Sequence, residues 1–413
     1  MKKIYGVYKA SFHGLSHASW LLSIVMLINR AGSMVLPFLG IYMVDRLGFS
    51  IIESGIVLSC FGIGSLLGSW LGGYLTDKIG DYSVQVFSLF VSVPLFCLYP
   101  FYSTPLAIGM IVFVQSVIST LFMPANSVAI SKYALPGNLT RSFSLNRMAI
   151  NLGFSIGPAM GGFLSAVSYD LLFFGNALMA LLAGLAFVLF FRKGHKVEKL
   201  EKIKTKQEKQ AKKVIKELSP YKDFPFLIFT LICMGFAIGF FQLMSTLPIF
   251  YKEDLRMAQS MIGLLMATNG LTVFILEMPL VNFSETRLTI PQTMFWGSMF
   301  SAVSFLIIAF NPAYWMLFLG MILLSIGEIL ILPFMSSITA QRSGENNKGA
   351  YMGLNNLSIS VAFVVTPLLG TQLISIIGFS NLWMATFFLF STCAVAFYYF
   401  TPKLRKPKKM VAY

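Results

Sequence analysis

The sequence predicts an all-α membrane protein with twelve transmembrane helices in two pseudo-symmetric six-helix bundles. Three observations predict this fold: the composition, a succession of long apolar runs, and an internal repeat. Hydrophobic residues make up 56% of the 413 residues, and charged residues make up only 11%. A soluble chain of this length could not cover its surface with so few charges, so the composition excludes an ordinary soluble domain.

The internal repeat relates the two halves of the chain at a constant shift of 209 positions. The shift holds without a gap for more than forty residues, which chance does not readily produce. We therefore interpret the chain as two copies of one bundle. The pairs that match are Leu121 and Leu330, Pro124 and Pro333, Ser127 and Ser336, Asn138 and Asn347, Leu145 and Leu354, Asn146 and Asn355, Pro158 and Pro367, Gly161 and Gly370, and Leu164 and Leu373.

The apolar runs divide the chain into an N-terminal bundle over residues 1–193, a charged linker over 194–223 and a C-terminal bundle over 224–413. Each run is long enough to cross the roughly 30 Å of hydrocarbon in a bilayer. Crossings are expected at about residues 19–44, 52–75, 84–101, 106–129, 143–166, 171–191, 224–250, 260–281, 290–310, 313–338, 351–374 and 382–401.

Basic residues flank the apolar runs and do not form one folded face, which argues against a nucleic-acid partner. Of 31 lysines and arginines, 12 lie between Arg192 and Lys222, three in the first nine residues and five from Lys403 onward. Because cytoplasmic loops carry an excess of Lys and Arg, we expect both termini and the linker to be cytoplasmic. The expected location is a plasma membrane, such as the bacterial inner membrane. The linker is expected to be a solvated tether with partial helix, although an amphipathic surface helix is an alternative.

The loop after the second predicted crossing carries the pattern G-x-L-x-D-[RK]-x-G. The matching residues are Gly73, Leu75, Asp77, Lys78 and Gly80. On these residues the chain resembles the major facilitator superfamily, whose signature occupies this loop. The resemblance implies alternating access around a central site, with Asp77 closing a cytoplasmic gate against the start of the eleventh crossing, near residues 349–355. A helix N-terminus there would favour an anion. The predicted gate residues are Gly73, Asp77, Lys78, Gly80 and Arg141.

The fifth predicted crossing matches a second family pattern, G-x-x-x-G-P-x-x-G-G, at Gly153, Gly157, Pro158, Gly161 and Gly162. This pattern resembles the one found mostly in proton-driven antiporters of the superfamily. In lipid, small residues let two helix backbones approach closely, so we expect these five residues to serve helix packing.

Of the ionisable residues inside predicted crossings, three are our candidates for proton coupling: Arg30, Glu277 and Glu328. Charges inside a membrane mark ion pathways or substrate contacts by default. Glu328 is expected to alternate between a protonated state and a pair with Arg30, past the centre of its helix toward the cytoplasm. Glu277 is placed near a helix end, where it either couples protons, reaches headgroups or locks the eighth crossing against the fifth. The alternative for Arg30 is an internal countercharge between two helices.

Neutral polar residues inside the crossings are expected to line a substrate cavity. Those selected are Asn29, Gln115, Asn126, Gln242, Asn269 and Asn356. For each of them the alternative is an interhelical hydrogen bond. The four cysteines stand singly in apolar runs and are interpreted as packing residues.

These features predict a secondary transporter that exports small apolar or amphipathic molecules in exchange for protons. The alternative is proton-coupled uptake of a small nutrient such as a peptide. The crossings contain no His, no carboxylate pair at metal spacing and no ATP-binding loop, so we expect no enzymatic activity, no catalytic residue, no metal and no cofactor. The expected partners are a small-molecule substrate, protons and the lipid bilayer, and the chain is expected to work as a monomer.

Overall fold

The computed structural model describes residues 11–208, 218–310 and 313–404. Every regular element within these ranges is a helix, which confirms the all-α prediction. The first ten residues, the middle of the linker and the tail beyond Leu404 lie outside the described residues. The predictions made for residues in these stretches, which include the basic residues of the N-terminus and those beyond Leu404, stay predictions.

The apolar runs of the first half form helices α1 to α7. Their bounds are α1 His17–Ala31, α2 Val35–Ile41 with a π-helical continuation Tyr42–Arg46, α3 Ile51–Ile79, α4 Asp81–Leu98, α5 Pro105–Tyr133, α6 Leu139–Val167 and α7 Tyr169–Glu208. Local signals set several of these ends. Ser50 and Glu53 form a capping box that starts α3, and Gly80 ends α3 with a φ of 90° that a residue without Cβ adopts at little cost.

The second half forms helices α8 to α13. Their bounds are α8 Phe224–Phe241, α9 Thr246–Glu253, α10 Gln259–Arg287, α11 Ile290–Ala309, α12 Tyr314–Arg342 and α13 Lys348–Phe400. α13 has 53 residues but is broken at Gly378, which has a φ of 77°. A continuous helix of that length would extend roughly 80 Å, and the break at Gly378 divides α13 into two helical segments.

The structure corrects two of the predicted crossings, which we expected to be continuous. The first is interrupted between Ala31 and Val35, and the seventh between Phe241 and Thr246. The two interruptions occupy similar places in the two halves. Non-helical backbone at membrane depth is tolerated only where protein or a water-filled cavity surrounds it, so both breaks point to the inside of the bundle.

Within the described residues, ten helical spans are long and apolar enough to cross a membrane, with α1 and α2 counted as one span and α8 and α9 as another. The helix α6 is not among them, although its 29 residues equal the length of α3, α5, α10 and α12. Arg141, Asn146 and Arg147 make its first third polar, and the glycines and Pro158 of the second motif lower the hydropathy of the rest. The divided helix α13 counts once among the ten. The number twelve therefore stays a prediction.

The helix bounds repeat with the shift seen in the sequence. The helices α5 and α12 start at residues 105 and 314, and α6 and α13 at 139 and 348, so both pairs are 209 positions apart. The helices α3 and α10 start at 51 and 259, which is a shift of 208. These shifts assign each residue of one half a counterpart in the other half.

Each half has its own apolar core. The largest cluster of buried apolar side chains lies entirely between Phe226 and Leu404. Two further clusters lie entirely in the first half, and a third first-half cluster takes in only Ala340 and Met352 from the second. The two halves therefore meet mainly through the polar and glycine contacts described below. We call the end of the bundle where α3, α5, α10 and α12 end the linker face, and the opposite end the far face.

The linker is attached to the second half at its C-terminal end. Asp223 accepts hydrogen bonds from Nε and Nη2 of Arg342 at 2.8 and 2.9 Å and from the hydroxyl of Tyr351 at 2.7 Å. Burial raises the pKa of Asp223, but the hydrogen bonds from Arg342 and Tyr351 outweigh this and hold the pKa below its usual value. The attachment is therefore intact at neutral pH and is lost only as the pH falls through that lowered pKa. At the other end, α7 continues from Arg192 into the linker as far as Glu208.

Candidate transport site

A buried cluster of charges joins α6 of the first half to α10 and α12 of the second. Arg147 donates from Nε and Nη2 to the two carboxylate oxygens of Glu277, at 2.8 and 3.1 Å. Its Nη2 also donates to Oε1 of Glu328 at 3.1 Å. The side chains of Arg147, Glu277 and Glu328 are 14%, 0% and 5% exposed. We call these three residues the charged cluster.

The remaining oxygen of Glu328 is held by an amide. Asn269 of α10 donates from Nδ2 to Oε2 of Glu328 at 3.1 Å and to the hydroxyl of Ser325 at 2.9 Å. All four carboxylate oxygens of the cluster thus accept an N–H hydrogen bond. One guanidinium serves two carboxylates, so with both glutamates ionised the cluster carries a net charge of −1.

The repeat shows that the helices can pack at this place without charges. The counterparts of the cluster residues in the other half are all neutral. They are Ser69 for Glu277, Ser119 for Glu328 and Asn356 for Arg147. The three charges therefore occur only where α6 meets α10 and α12, and not at the equivalent place where α13 meets α3 and α5, so the shared architecture does not require them.

Arg30 does not pair with Glu328, so the predicted partner is wrong. Its Nη2 donates to the sulfur of Met123 at 2.8 Å, and its guanidinium carbon lies 5.5 Å from the ring centroid of Phe154. Its buried Nε has no hydrogen-bond partner among the described residues. The alternative role as an internal countercharge also fails, because Arg30 forms no ion pair in the described part of the chain.

The sequence analysis missed Arg147, which takes the place expected for Arg30. Arg147 was not selected as a candidate, although it falls four residues inside the predicted fifth crossing. That position was the available signal. The depth of both glutamates also changes. Glu328 lies at the middle of α12 and not past its centre, and Glu277 is fully buried and pairs with Arg147 of α6.

The predicted contact of Asp77 with the eleventh crossing is present. Its two carboxylate oxygens accept from the backbone N–H groups of Gly349 and Ala350, at 2.5 and 2.7 Å, in the first turn of α13. Lys78 does not reach the second half and instead donates to Tyr74 of its own helix at 3.1 Å. Asp77 therefore joins the two halves at the linker face.

The pseudo-symmetric contact on the other side of the bundle was not predicted. Glu285 is the counterpart of Asp77, and it accepts from Nε of Arg141 at 3.1 Å. Arg141 is in turn the counterpart of Ala350, so a guanidinium replaces the backbone N–H. The loop around Glu285 does not keep the glycines of the signature, but its carboxylate keeps the same position. The ion pair with Glu285 also brings Arg141, a predicted gate residue, into contact with the second half.

Glycines allow the first of these contacts to form. A Cβ on Gly73 would lie 2.5 Å from the carbonyl oxygen of Gly349 and 2.8 Å from Cα of Gly353. The backbones of α3 and α13 therefore touch at the linker face. Every contact between the halves named so far lies in the half of the bundle nearer that face, so the linker side of this structure is closed.

Replacing Gly73 by alanine should prevent this closure, because the new methyl group would overlap backbone that has no freedom to move aside. We expect a loss of transport of more than tenfold and a separation of the two halves at the linker face. The matched control is Gly55→Ala in the same helix, where an added Cβ meets nothing within 4 Å. Spin labels at Ile79 and Gln341 report the separation. Distances that are the same in wild type and Gly73→Ala would contradict the assignment.

Replacing Asp77 by asparagine should weaken closure without removing the site. An amide presents one acceptor oxygen and no charge to the start of α13, which costs about 0.3–2 kcal/mol. We expect slower turnover with substrate binding within a few-fold of wild type. Asp45→Asn, at an exposed position toward the far face, is the control. Turnover by Asp77→Asn at the wild-type rate would show that this contact does not limit transport.

The second motif packs against the interrupted first crossing. A Cβ on Gly153 would lie 2.5 Å from Cβ of Arg30, and one on Gly157 would lie 3.2 Å from the carbonyl oxygens of Arg30 and Ala31. Gly161 faces Phe38 at 3.0 Å, while Gly162 has only an ordinary contact. Pro158 lies inside α6. The glycines therefore admit the break that follows α1.

The neutral polar candidates divide into three groups. Asn269 joins the charged cluster, as described above. Gln242 bonds to Thr246 at the break between α8 and α9, and Asn356 donates to a carbonyl of its own helix. The others lie in the first half near Arg30. Asn29 is half-buried beside it in α1, Asn126 donates to Asn146 at 3.3 Å, and neither side-chain polar atom of the buried Gln115 has a partner among the described residues.

Comparisons with known proteins agree with this architecture. The family model described as Major Facilitator Superfamily matches residues 20–255 and 237–411. A Na(+), Li(+), K(+)/H(+) antiporter of Planococcus maritimus is 22% identical over 365 residues, which cover 83% of this chain and 85% of that protein. The multidrug resistance protein MdtH of Edwardsiella ictaluri is 22% identical over 332 residues, 79% of each chain.

A solved structure supports the fold. The crystal structure of a bacterial homologue of the iron transporter ferroportin, in an outward-facing state, superposes with a TM-score of 0.74 at 17% identity. It covers 94% of this chain and 100% of that one. The family model, which spans nearly the whole chain, confirms the resemblance drawn from the two motifs: this multi-pass membrane protein belongs to the major facilitator superfamily of transporters.

Proposed function

We propose that this transporter exports small amphipathic molecules in exchange for protons, by alternating access between two six-helix bundles with twelve crossings. The observation that carries the proposal is the charged cluster, in which one guanidinium bridges two buried carboxylates. In the proposal, Glu328 and Glu277 hold the exchanged proton, and Arg147 takes the role that the sequence analysis gave to Arg30. The chain acts on its substrate by transport and not by chemical conversion.

The charge of the cluster supports a proton site. A net charge of −1 away from water costs several kcal/mol, and a proton on either glutamate removes it. With one carboxylate protonated, the remaining one still pairs with Arg147. The cluster can therefore exist in two states. In one it holds a proton and a single ion pair, and in the other it holds no proton and both carboxylates pair with Arg147. A proton-coupled carrier needs at least two such states.

The position of the cluster supports coupling between the proton and the conformation. The ion pairs of Arg147 cross from the first half to the second, so they contribute to closure of the linker side. A proton that reaches the cluster from the far side neutralises one carboxylate and weakens this bridge. The linker side then opens, the proton leaves, and substrate enters in its place. The central placement between bundles is where secondary transporters bind coupling ions.

The direction of transport is supported by the names of two relatives, one a cation/proton antiporter and one a multidrug resistance protein. The test is a substrate screen in sealed vesicles with the proton gradient set in each direction. Export predicts that substrate moves out of the compartment into which protons flow. Substrate that moves with the protons would favour the alternative of nutrient uptake, and movement without regard to the gradient would reject proton coupling.

The proposed topology has both termini and the linker in the cytoplasm of a plasma membrane. We expect single cysteines at His13, which is exposed, and at Thr205 and Val411, in a variant without the four native cysteines, to resist an impermeant maleimide in intact cells. The same positions should react in inverted vesicles. A cysteine at Asp45, toward the far face, is the positive control. Labelling of the first three positions from outside would reverse the orientation.

A further inference from the structure

A second charged site lies in the first half, apart from the cluster. Arg30 ends the first part of the interrupted crossing, and its guanidinium lies over Phe154 and against Met123. A guanidinium has five N–H donors, and here the only protein acceptor within the described residues is a thioether sulfur, which accepts weakly. An arginine at membrane depth is costly unless it is paired or faces a cavity. Because Arg30 has no ionic partner among the described residues, we expect its guanidinium to face a cavity.

The surroundings of Arg30 add unused hydrogen-bonding groups. Oδ1 of Asn126 and Nδ2 of Asn151 are buried without a partner among the described residues, as is Nε of Arg30 itself. Asn126 lies three residues after Met123 in α5, and Asn151 three residues before Phe154 in α6, so each is one helical turn from a residue that touches Arg30. Buried polar groups normally find partners, and several orphans around one cation indicate a ligand site.

The apolar part of the site comes from the ring that faces Arg30. Phe154 is 45% exposed even though the guanidinium lies over it, so part of the ring is open to a ligand. The side chain of Met123 is flexible and adapts to ligand shape. A ligand that fits this combination has an anionic headgroup for Arg30, an apolar or aromatic body for Phe154, and polar atoms for the nearby amides.

The repeat shows that the helix break does not require an arginine like Arg30. The residues of α8 that occupy the corresponding stretch before the second interruption are all apolar or glycine. They are Ala237, Ile238, Gly239 and Phe240. A helix that breaks at this depth therefore does not need an arginine before the break.

We propose that Arg30, together with Asn126, Asn151 and Phe154, binds the anionic group of an amphipathic organic anion, which is the substrate class of this transporter. This inference rests on the proposed function only in calling the bound anion a substrate, because the binding of the anion itself does not depend on a proton gradient. Along α6, Arg147 and Phe154 are seven residues apart, or two turns and about 10 Å. The anion site and the charged cluster thus lie on one face of one helix, close enough for the charge of one to influence the other.

The test uses binding to the purified full-length protein in nanodiscs at one pH, with no gradient. The probes are naphthylacetate, naphthylethanol and naphthylethylammonium, which share an aromatic body and differ in headgroup charge. We expect the carboxylate to bind at least tenfold more tightly than the alcohol, with the ammonium compound the weakest. Arg30→Gln should abolish the preference, and Arg30→Lys should retain part of it because the charge is kept without the planar fork.

Controls separate this site from the folding of the protein and from the proposed coupling. Arg46→Gln removes an exposed arginine of the same crossing and should leave the preference unchanged. Phe154→Ala should weaken all three probes by a similar factor without changing their order, and it serves if Arg30→Gln fails to fold. Glu328→Gln should keep the preference, so a failure of proton coupling leaves this result standing. Carboxylate binding that is absent, no tighter than that of the alcohol, or unchanged by Arg30→Gln would overturn the proposal.

Discussion

Replacing Arg147 by methionine is expected to abolish gradient-driven transport and to lower the stability of the folded protein by about 3–5 kcal/mol at neutral pH. The reason is that the substitution removes the only cation of the charged cluster and leaves Glu277 and Glu328 facing each other without compensation. Methionine fills a similar volume, so lost packing contributes little. The loss of stability should shrink as the pH is lowered, because protonation of the carboxylates removes their repulsion.

A triple variant separates electrostatics from packing. In Arg147→Met combined with Glu277→Gln and Glu328→Gln no charge remains, and stability should return to the wild-type level or above it. Transport should stay absent, since neither coupling carboxylate remains. Arg46→Met, at an exposed position, is the control for the loss of an arginine as such and should be close to neutral. Thermal unfolding in detergent measures all four proteins. A stable Arg147→Met single variant, or a triple variant no better than the single one, would show that the cluster charges do not act together.

Replacing Glu328 by glutamine is expected to uncouple transport from protons. Glutamine mimics the protonated carboxylate permanently, and it keeps an acceptor for Asn269 while Arg147 keeps its bidentate contact with Glu277. The protein should therefore fold and still exchange substrate across the membrane. Net transport driven by a proton gradient should fall by at least two orders of magnitude, because the cluster no longer alternates between two charge states.

Two comparisons make this result specific. Glu53→Gln changes a glutamate at the far-face start of α3, where it only caps the helix, and should leave coupling intact. Glu277→Gln removes the carboxylate that accepts two of the three hydrogen bonds donated by Arg147 in the cluster. It should therefore reduce closure of the linker side as well as coupling. Coupled transport by Glu328→Gln with unchanged pH dependence would make Glu328 structural and pass the proton to Glu277.

Much of the fold could be predicted from composition and repetition. Long apolar runs mark crossings because hydrocarbon imposes one length on every spanning helix, and the repeat located the helix bounds in both halves. The contact of Asp77 with the start of α13 could also be predicted, because a carboxylate at a helix N-terminus is a local rule carried by a family motif. The breaks in the first and seventh crossings were not predicted, because the few polar residues there (Asn29, Arg30 and Ser33 in the first, Gln242, Ser245 and Thr246 in the seventh) are flanked on both sides by apolar residues that a continuous helix would also have.

The pairing of charges could not be predicted for a different reason. Arg30 and Arg147 both lie inside predicted crossings, and a one-dimensional pattern does not say which of them meets Glu328. The choice depends on the rotation of α1 and α6 about their axes and on which helices are neighbours. The depth of each arginine within its crossing was a partial signal. Arg147 lies only four residues inside the predicted fifth crossing, so it resembles a residue of the preceding loop. The role of Arg141 and Glu285 similarly depends on superposing the two halves, where the counterpart of Asp77 becomes visible.

The central claim is that the charged cluster holds an exchangeable proton, and infrared difference spectroscopy of the reconstituted protein tests it most directly. Spectra at low and high pH are compared for wild type and for the double variant Glu277→Gln with Glu328→Gln. The account predicts that the protonated-carboxyl C=O band of the wild-type difference spectrum contains a component that is missing from the weaker band of the double variant, which keeps its other carboxyl groups. A band of equal intensity in both proteins would place the proton elsewhere and contradict the account.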